Sequence, residues 1–198
     1  MKKKNLKVKK IISMNRKNNF FDNYFKDINK KVSKIDNTKL LKISNLMKSV
    51  SKKNKIILVG NGGSASMASH VAVDITKILK IRAVNFNEPN LLTCFGNDYG
   101  YENWVSEALK AYALKGDLII LVSSSGQSKN LTNGAKMARK MKLKLVTLSG
   151  FKPSNPLRKI GHINLWTDAK VYNMVEMTHH IWLLSIVDFL DSNYKLKN

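Results

Sequence analysis

The chain is poor in cysteine, in long apolar runs and in acid. One cysteine, Cys94, stands among 198 residues, which excludes a disulfide framework and a four-cysteine zinc module. Such sparing thiol use points to a reducing, cytoplasmic setting. No apolar run reaches the roughly 18 residues of a membrane span. The opening MKKKNLKVKK has the charge of a signal-peptide n-region, but only Ile11, Ile12 and Met14 follow before Arg16 and Lys17. Without a hydrophobic h-region, no secretion signal is expected.

Acid is the scarcest class: 13 Asp and Glu oppose 35 Lys and Arg, giving a net charge of +22. The excess is uneven, because 18 basic and three acidic residues precede position 56. Two readings stay open. One is an electrostatic patch for nucleic acid or anionic lipid; the other is lysine- and asparagine-rich drift. No aromatic-interleaved recognition motif accompanies the lysines, so nucleic acid is the weaker partner reading. With 43% hydrophobic residues, the chain is too apolar for a disordered protein and long enough for one well-packed domain.

Along the chain, residues 1–18 read as a flexible basic tail. Residues 19–198 read as one domain that includes leading helices over 20–52. Apolar positions from Phe21 to Val50 recur at helical spacing and break near Asn37-Thr38, with Thr38 a candidate N-cap. Ile56–Val59, Ala83–Phe86, Asp117–Val122, Lys144–Leu148 and Ile163–Trp166 read as strands, and the continuous apolar runs read as buried parallel ones. Helices are expected over Ser64–Leu79, Trp104–Ala113, from the serine cluster to Met141, and over Asn173–Leu190. Strands alternating with helices predict an α/β fold, a doubly wound parallel sheet with helices on both faces.

Two loops carry the chemistry. Gly60-Asn61-Gly62-Gly63-Ser64 follows the first strand; its glycines permit close approach of a ligand, and Ser64 opens a helix whose free amides favour an anion. Ser123-Ser124-Ser125-Gly126-Gln127-Ser128 follows the third strand and puts four hydroxyls beside another helix start. Loops at the carboxyl ends of parallel strands open on one crevice, so the two are expected to face each other. Neither matches a dinucleotide fingerprint or a P-loop. A phosphorylated small molecule suits them better.

GNGGSA after a strand, GNDYGYE at 96–102, SSSGQS after a strand, and LVTLSG together resemble the sugar isomerase (SIS) domain family, in particular its phosphoheptose isomerase branch. The resemblance runs from about Phe20 to Phe189 and implies a flavodoxin-like sheet and homotetramers with sites at subunit boundaries. It implies that Ser123, Ser124, Ser125 and Ser128 hold the sugar phosphate, and that Asn61, Gly62, Gly63, Ser64, Asn97 and Asp98 contact the substrate. The family's His and Glu, four residues apart on the helix after the glycine loop, fall on His70 and Asp74; an i, i+4 pair shares a helix face. Asp keeps the carboxylate of a general base but is one methylene shorter.

On the last helix the sequence departs from the family. A Gln and, eight residues on, a His that serves as metal ligand or general acid fall on Val175 and Leu183 when Glu176 is aligned. At about 100° per residue, His179 lies midway between those two positions and His180 roughly 60° beyond Leu183. His179 is therefore the preferred displaced acid/base, with His180 behind it. No cofactor is required by the sequence; zinc held by His70, Asp74 and His179 is the one metal set to test.

Blander readings stand beside these. The paired histidines suit a core cap or a subunit contact, His70 with Asp74 an ordinary helix-surface pair, and Glu176 either a buried ion-pair partner or a catalyst. Cys94 is expected to be a buried small hydrophobe. The expected activity is aldose–ketose isomerisation of a sugar phosphate, sedoheptulose 7-phosphate by resemblance, through an enediol. The alternative is a non-catalytic sugar-phosphate-binding protein with a regulatory role.

Overall fold

The computed structural model describes residues 19–192, so the expected basic tail lies outside the described residues. Strand β1 (Ile56–Val59) is four consecutive buried residues. Side chains alternate across a strand, so Ile56 and Leu58 join one apolar layer and Ile57 and Val59 the other. Strand β3 (Leu118–Ser123) divides likewise, Ile120 and Val122 against Ile119 and Leu121. Burial on both faces is what produces continuous apolar runs in place of alternation.

With β2 (Ala83–Asn85), β4 (Lys144–Ser149) and β5 (Ile163–Trp166), these strands form an all-parallel sheet in the order β2-β1-β3-β4-β5. Helices α1 (residues 19–33), α2 (Asn37–Lys48), α3 (Gly63–Leu79) and α8 (Tyr172–Leu190) cover one face. Helices α4 (Pro89–Tyr99), α5 (Trp104–Tyr112), α6 (Lys129–Lys140) and α7 (Pro156–Ile160) cover the other. This is the doubly wound α/β architecture expected. Trp182 Nε1 donates to the Val32 carbonyl at 2.9 Å and ties α8 to the end of α1. No helix among the described residues is long and apolar enough to cross a membrane.

Local expectations are corrected at three places. Asp36 caps α2, its carboxylate accepting from the Thr38 amide at 2.9 Å and the Thr38 hydroxyl at 2.7 Å; Thr38 itself lies inside the helix. Helix α4 is additional to the expected elements. Glu88 caps it through the Leu91 amide at 2.8 Å and Pro89 occupies its first turn, where a preset φ suits a helix start. Cys94 on that helix is exposed. Desolvation, with the nearby Asp98 carboxylate, raises its thiol pKa.

For this strand order the winding reverses between β1 and β3, and ligands bind outside the carboxyl ends at such a switch point. The opposite end is closed by a salt bridge: Lys55 Nζ lies 2.9 Å from the fully buried Asp117 carboxylate.

Candidate active site

The loops after β1 and β3 converge at the switch point. Ser64 Oγ, in the first turn of α3, lies 3.3 Å from Ser124 Oγ. Asn61, Gly62, Gly63, Ser64, Ser123, Ser124, Ser125 and Ser128 line one cavity of about 360 Å³, joined by Val122, Tyr172 and Glu176. Ser123 Oγ donates to Ser128 Oγ at 3.1 Å. Gly62 holds φ +52° at the entry to α3, a left-handed angle that glycine adopts without a Cβ penalty.

The two helix N-termini at this cavity are not equivalent. At α3, the Glu176 carboxylate already occupies the space beside Gly63, and its Oε1 accepts from Ser124 Oγ at 3.3 Å. An acid beside a helix N-terminus is favoured by the macrodipole. At α6, the N-cap Ser128 makes no side-chain cap hydrogen bond, so the first-turn amides remain available. A dianion at the Ser125–Ser128 end of the serine loop therefore meets the α6 terminus, and at Ser124 it competes with Glu176 for the hydroxyl.

Asn61 is braced more tightly than its motif alone indicates. It exchanges two amide hydrogen bonds with buried Asn130, at 3.0 and 2.8 Å, and its Oδ1 also accepts from Tyr101 at 3.3 Å. Sequence reasoning misses Asn130 and Tyr101, although each lies within or close to a motif it reads. Asn97 and Asp98 stand apart: both are exposed on α4, the Asn97 amide donates to Asp98 at 2.9 Å, and neither lines the cavity. The 96–102 segment touches the loop network through Tyr101.

The acid/base candidates divide in two. His179 is 0% exposed, with Nε2 3.1 Å from the Ser149 carbonyl and Nδ1 buried without a partner. Burial pushes its pKa down to about 4, against the smaller opposing effect of the Ser149 carbonyl. It lies on the same buried face as Val175 and Leu183 and does not line the cavity. This corrects its preference over His180. His180 Nε2 is instead 3.1 Å from His70 Nδ1, and His70 Nε2 is 3.2 Å from Asp74 Oδ2. Partial burial and then the charge of His70 lower the His180 pKa, against the pull of Asp74.

The expected zinc set does not come together. His179 is turned into the core, away from His70 and Asp74, which lie 3.2 Å apart, and Val175 and Leu183 offer no donor. Among the described residues no three His, Cys, Asp or Glu side chains are grouped to hold a metal ion.

His70 and Asp74 also do not line the serine cavity. They lie where α3 meets His180 of α8; the same two helices expose the apolar side chains of Val73 (60%), Met177 (43%) and Ile181 (43%). Within one copy, the anion site and the His–Asp pair are therefore separate surfaces.

A polar, hydroxyl-lined cavity at the switch point of a five-stranded parallel sheet defines a doubly wound α/β domain with a site suited to an anion. The SIS domain family matches residues 20–150, and the chain belongs to that family. Its relatives include the phosphoheptose isomerase of Aliarcobacter butzleri, 33% identical over 70% of this chain and 76% of that protein. That of Helicobacter pylori is 28% identical over 77% of this chain and 82% of that protein. The fold matches the structure of a phosphoheptose isomerase from Neisseria gonorrhoeae, with a TM-score of 0.81 and 24% identity over 90% of this chain and 98% of that one.

Proposed function

We propose that this protein is an aldose–ketose isomerase that converts sedoheptulose 7-phosphate to the corresponding aldoheptose phosphate. The observation that carries this reading is the single cavity in which four loop serines face an uncapped helix N-terminus. The names of its relatives supply the substrate. The phosphate takes hydrogen bonds from Ser123, Ser124, Ser125 and Ser128 and from the α6 amides; hydrogen bonds to a charged group contribute about 1.5–3 kcal/mol each.

The reacting carbons, C1 and C2, are at the far end of the open chain from the phosphate. Glu176 sits inside the phosphate cavity, so it is poorly placed to reach them. Asp74 is the better base. It takes a proton from C1 of the ketose and, after exchange with solvent, delivers one to C2 through an enediol, while the C1 hydroxyl proton passes to the C2 oxygen.

Since Asp74 lies outside the cavity, it meets the substrate when a second copy docks its α3–α8 flank over the serine loop. The exposed Val73, Met177 and Ile181 on the same two helices support such a contact, because a subunit interface buries apolar side chains of this kind. The complete site then belongs to a homo-oligomer, with four copies the reading by resemblance.

The test is calorimetric titration and turnover with sedoheptulose 7-phosphate. Ser124→Ala should lower affinity by at least about tenfold, and Asp74→Asn should bind normally without turning over. Wild type that binds the sugar phosphate but never isomerises it would leave the regulatory, binding-only reading.

A further inference from the structure

His180, His70 and Asp74 form a continuous run of side-chain contacts across two helices. The rings of His70 and His180 meet edge to face, 4.9 Å between centroids at 80°. His180 Nε2 is 3.1 Å from His70 Nδ1, and His70 Nε2 is 3.2 Å from Asp74 Oδ2. His70 and Asp74 are one helical turn apart on α3, whereas His180 arrives from α8.

The Asp74 carboxylate only accepts, so it favours a hydrogen on His70 Nε2, the nitrogen that faces it. In that tautomer His70 Nδ1 accepts from His180 Nε2.

Asp is short, and its reach depends on which rotamer it holds. A contact at Oδ2 restricts that choice, and the hydrogen bond between His180 and Nδ1 restricts the His70 ring that makes it. We propose that His180 is a positioning residue for the isomerase base: it holds the His70 ring against Asp74, and His70 keeps the carboxylate turned toward the substrate carbon. This rests on the isomerase reading and on Asp74 as its base.

The experiment compares wild type, His180→Leu and His180→Gln as intact full-length proteins. ¹⁵N NMR of the His70 ring reads the tautomer without substrate, and steady-state kinetics with sedoheptulose 7-phosphate read the consequence. In wild type, Nε2 should be the protonated nitrogen of His70. In His180→Leu the His70 ring loses its second anchor, so its ring signals should shift and broaden, with kcat down about tenfold to hundredfold and KM within about twofold, since losing the partner that orients an active-site group misplaces it without removing it. His180→Gln, whose amide can donate to Nδ1, should recover the wild-type ring signals and most of kcat; a purely structural loss would not separate kcat from KM in this way.

Unchanged His70 shifts in His180→Leu, beside normal wild-type turnover, would overturn the inference alone. So would equal kcat in all three proteins. Wild type without turnover would overturn the isomerase reading, and the positioning role with it, whatever the tautomer.

Discussion

Gly63 and Glu176 touch so closely that a β-carbon on residue 63 would fall within the Glu176 carboxylate. That contact parks the one acidic side chain of the cavity at the start of α3, away from the α6 end. Gly63→Ala should push the carboxylate from its place beside residue 63 further into the cavity and weaken sugar-phosphate binding by about fivefold, as a displaced like charge at short range costs on the order of 1 kcal/mol. Calorimetry measures this directly. Adding Glu176→Ala should restore part of the affinity, because the two positions are coupled; an additive pair would argue against the contact.

His179 makes folding sensitive to mild acid. Its pKa is about 4 in the folded chain and 6.5 as an ordinary imidazole, so between these values the unfolded state binds the extra proton. Stability is therefore complete above pH 6.5 and declines as pH falls toward 4, by up to about 3 kcal/mol from this group. His179→Leu should flatten the dependence, as read by urea unfolding at about pH 4.5 and about pH 7 on either side of the ordinary imidazole value. The Ser149 carbonyl keeps the Thr167 amide at 2.9 Å as a partner in that variant.

Asp117 should be the most costly charge to remove. Burial alone would raise its pKa, but the Leu114 and Lys55 amides, the Lys55 ammonium and the Asn54 amide outweigh this and lower it. Its contribution is thus present above its ordinary value of 3.8 and lost as pH falls through the depressed one. Asp117→Asn leaves Lys55 without its counter-charge, and breaking a buried pair costs about 3 kcal/mol. Thermal unfolding should show Tm lower by roughly 10 °C.

If the site joins two copies, defects on the two surfaces should complement. Ser124→Ala and Asp74→Asn homomers should each be nearly inactive. Unfolded together and refolded, they should regain a fraction of wild-type turnover through interfaces that pair an intact serine loop with an intact Asp74. No recovery in verified mixed oligomers would place both groups in one copy.

The strands are legible in the sequence because burial on both faces writes itself as runs such as Ile56–Val59 and Leu118–Val122. The two ligand loops are legible because glycine and serine clusters after such strands have no packing purpose. Helix α4 is hidden by the motif it ends in, although Glu88-Pro89 signals its start. The Asp36 cap is masked by its neighbour because Thr38 is a good capping type as well.

His179 and His180 show where periodicity runs out. The helical wheel puts His179 on the face of Val175 and Leu183, and that grouping holds. Which face turns inward depends on what α8 packs against, and two apolar neighbours are the sign that this face is core. Asn130 and Tyr101 are invisible for a related reason: their partner, Asn61, is 69 and 40 residues away.

The most direct test of the central claim is isomerisation of sedoheptulose 7-phosphate in deuterated water, followed by NMR of the product, with Asp74→Asn in parallel. Wild type should turn over with solvent deuterium at C2 of the aldose, and Asp74→Asn should lose both while sugar-phosphate binding persists. Full turnover by Asp74→Asn, or product formed without solvent deuterium, would contradict that claim.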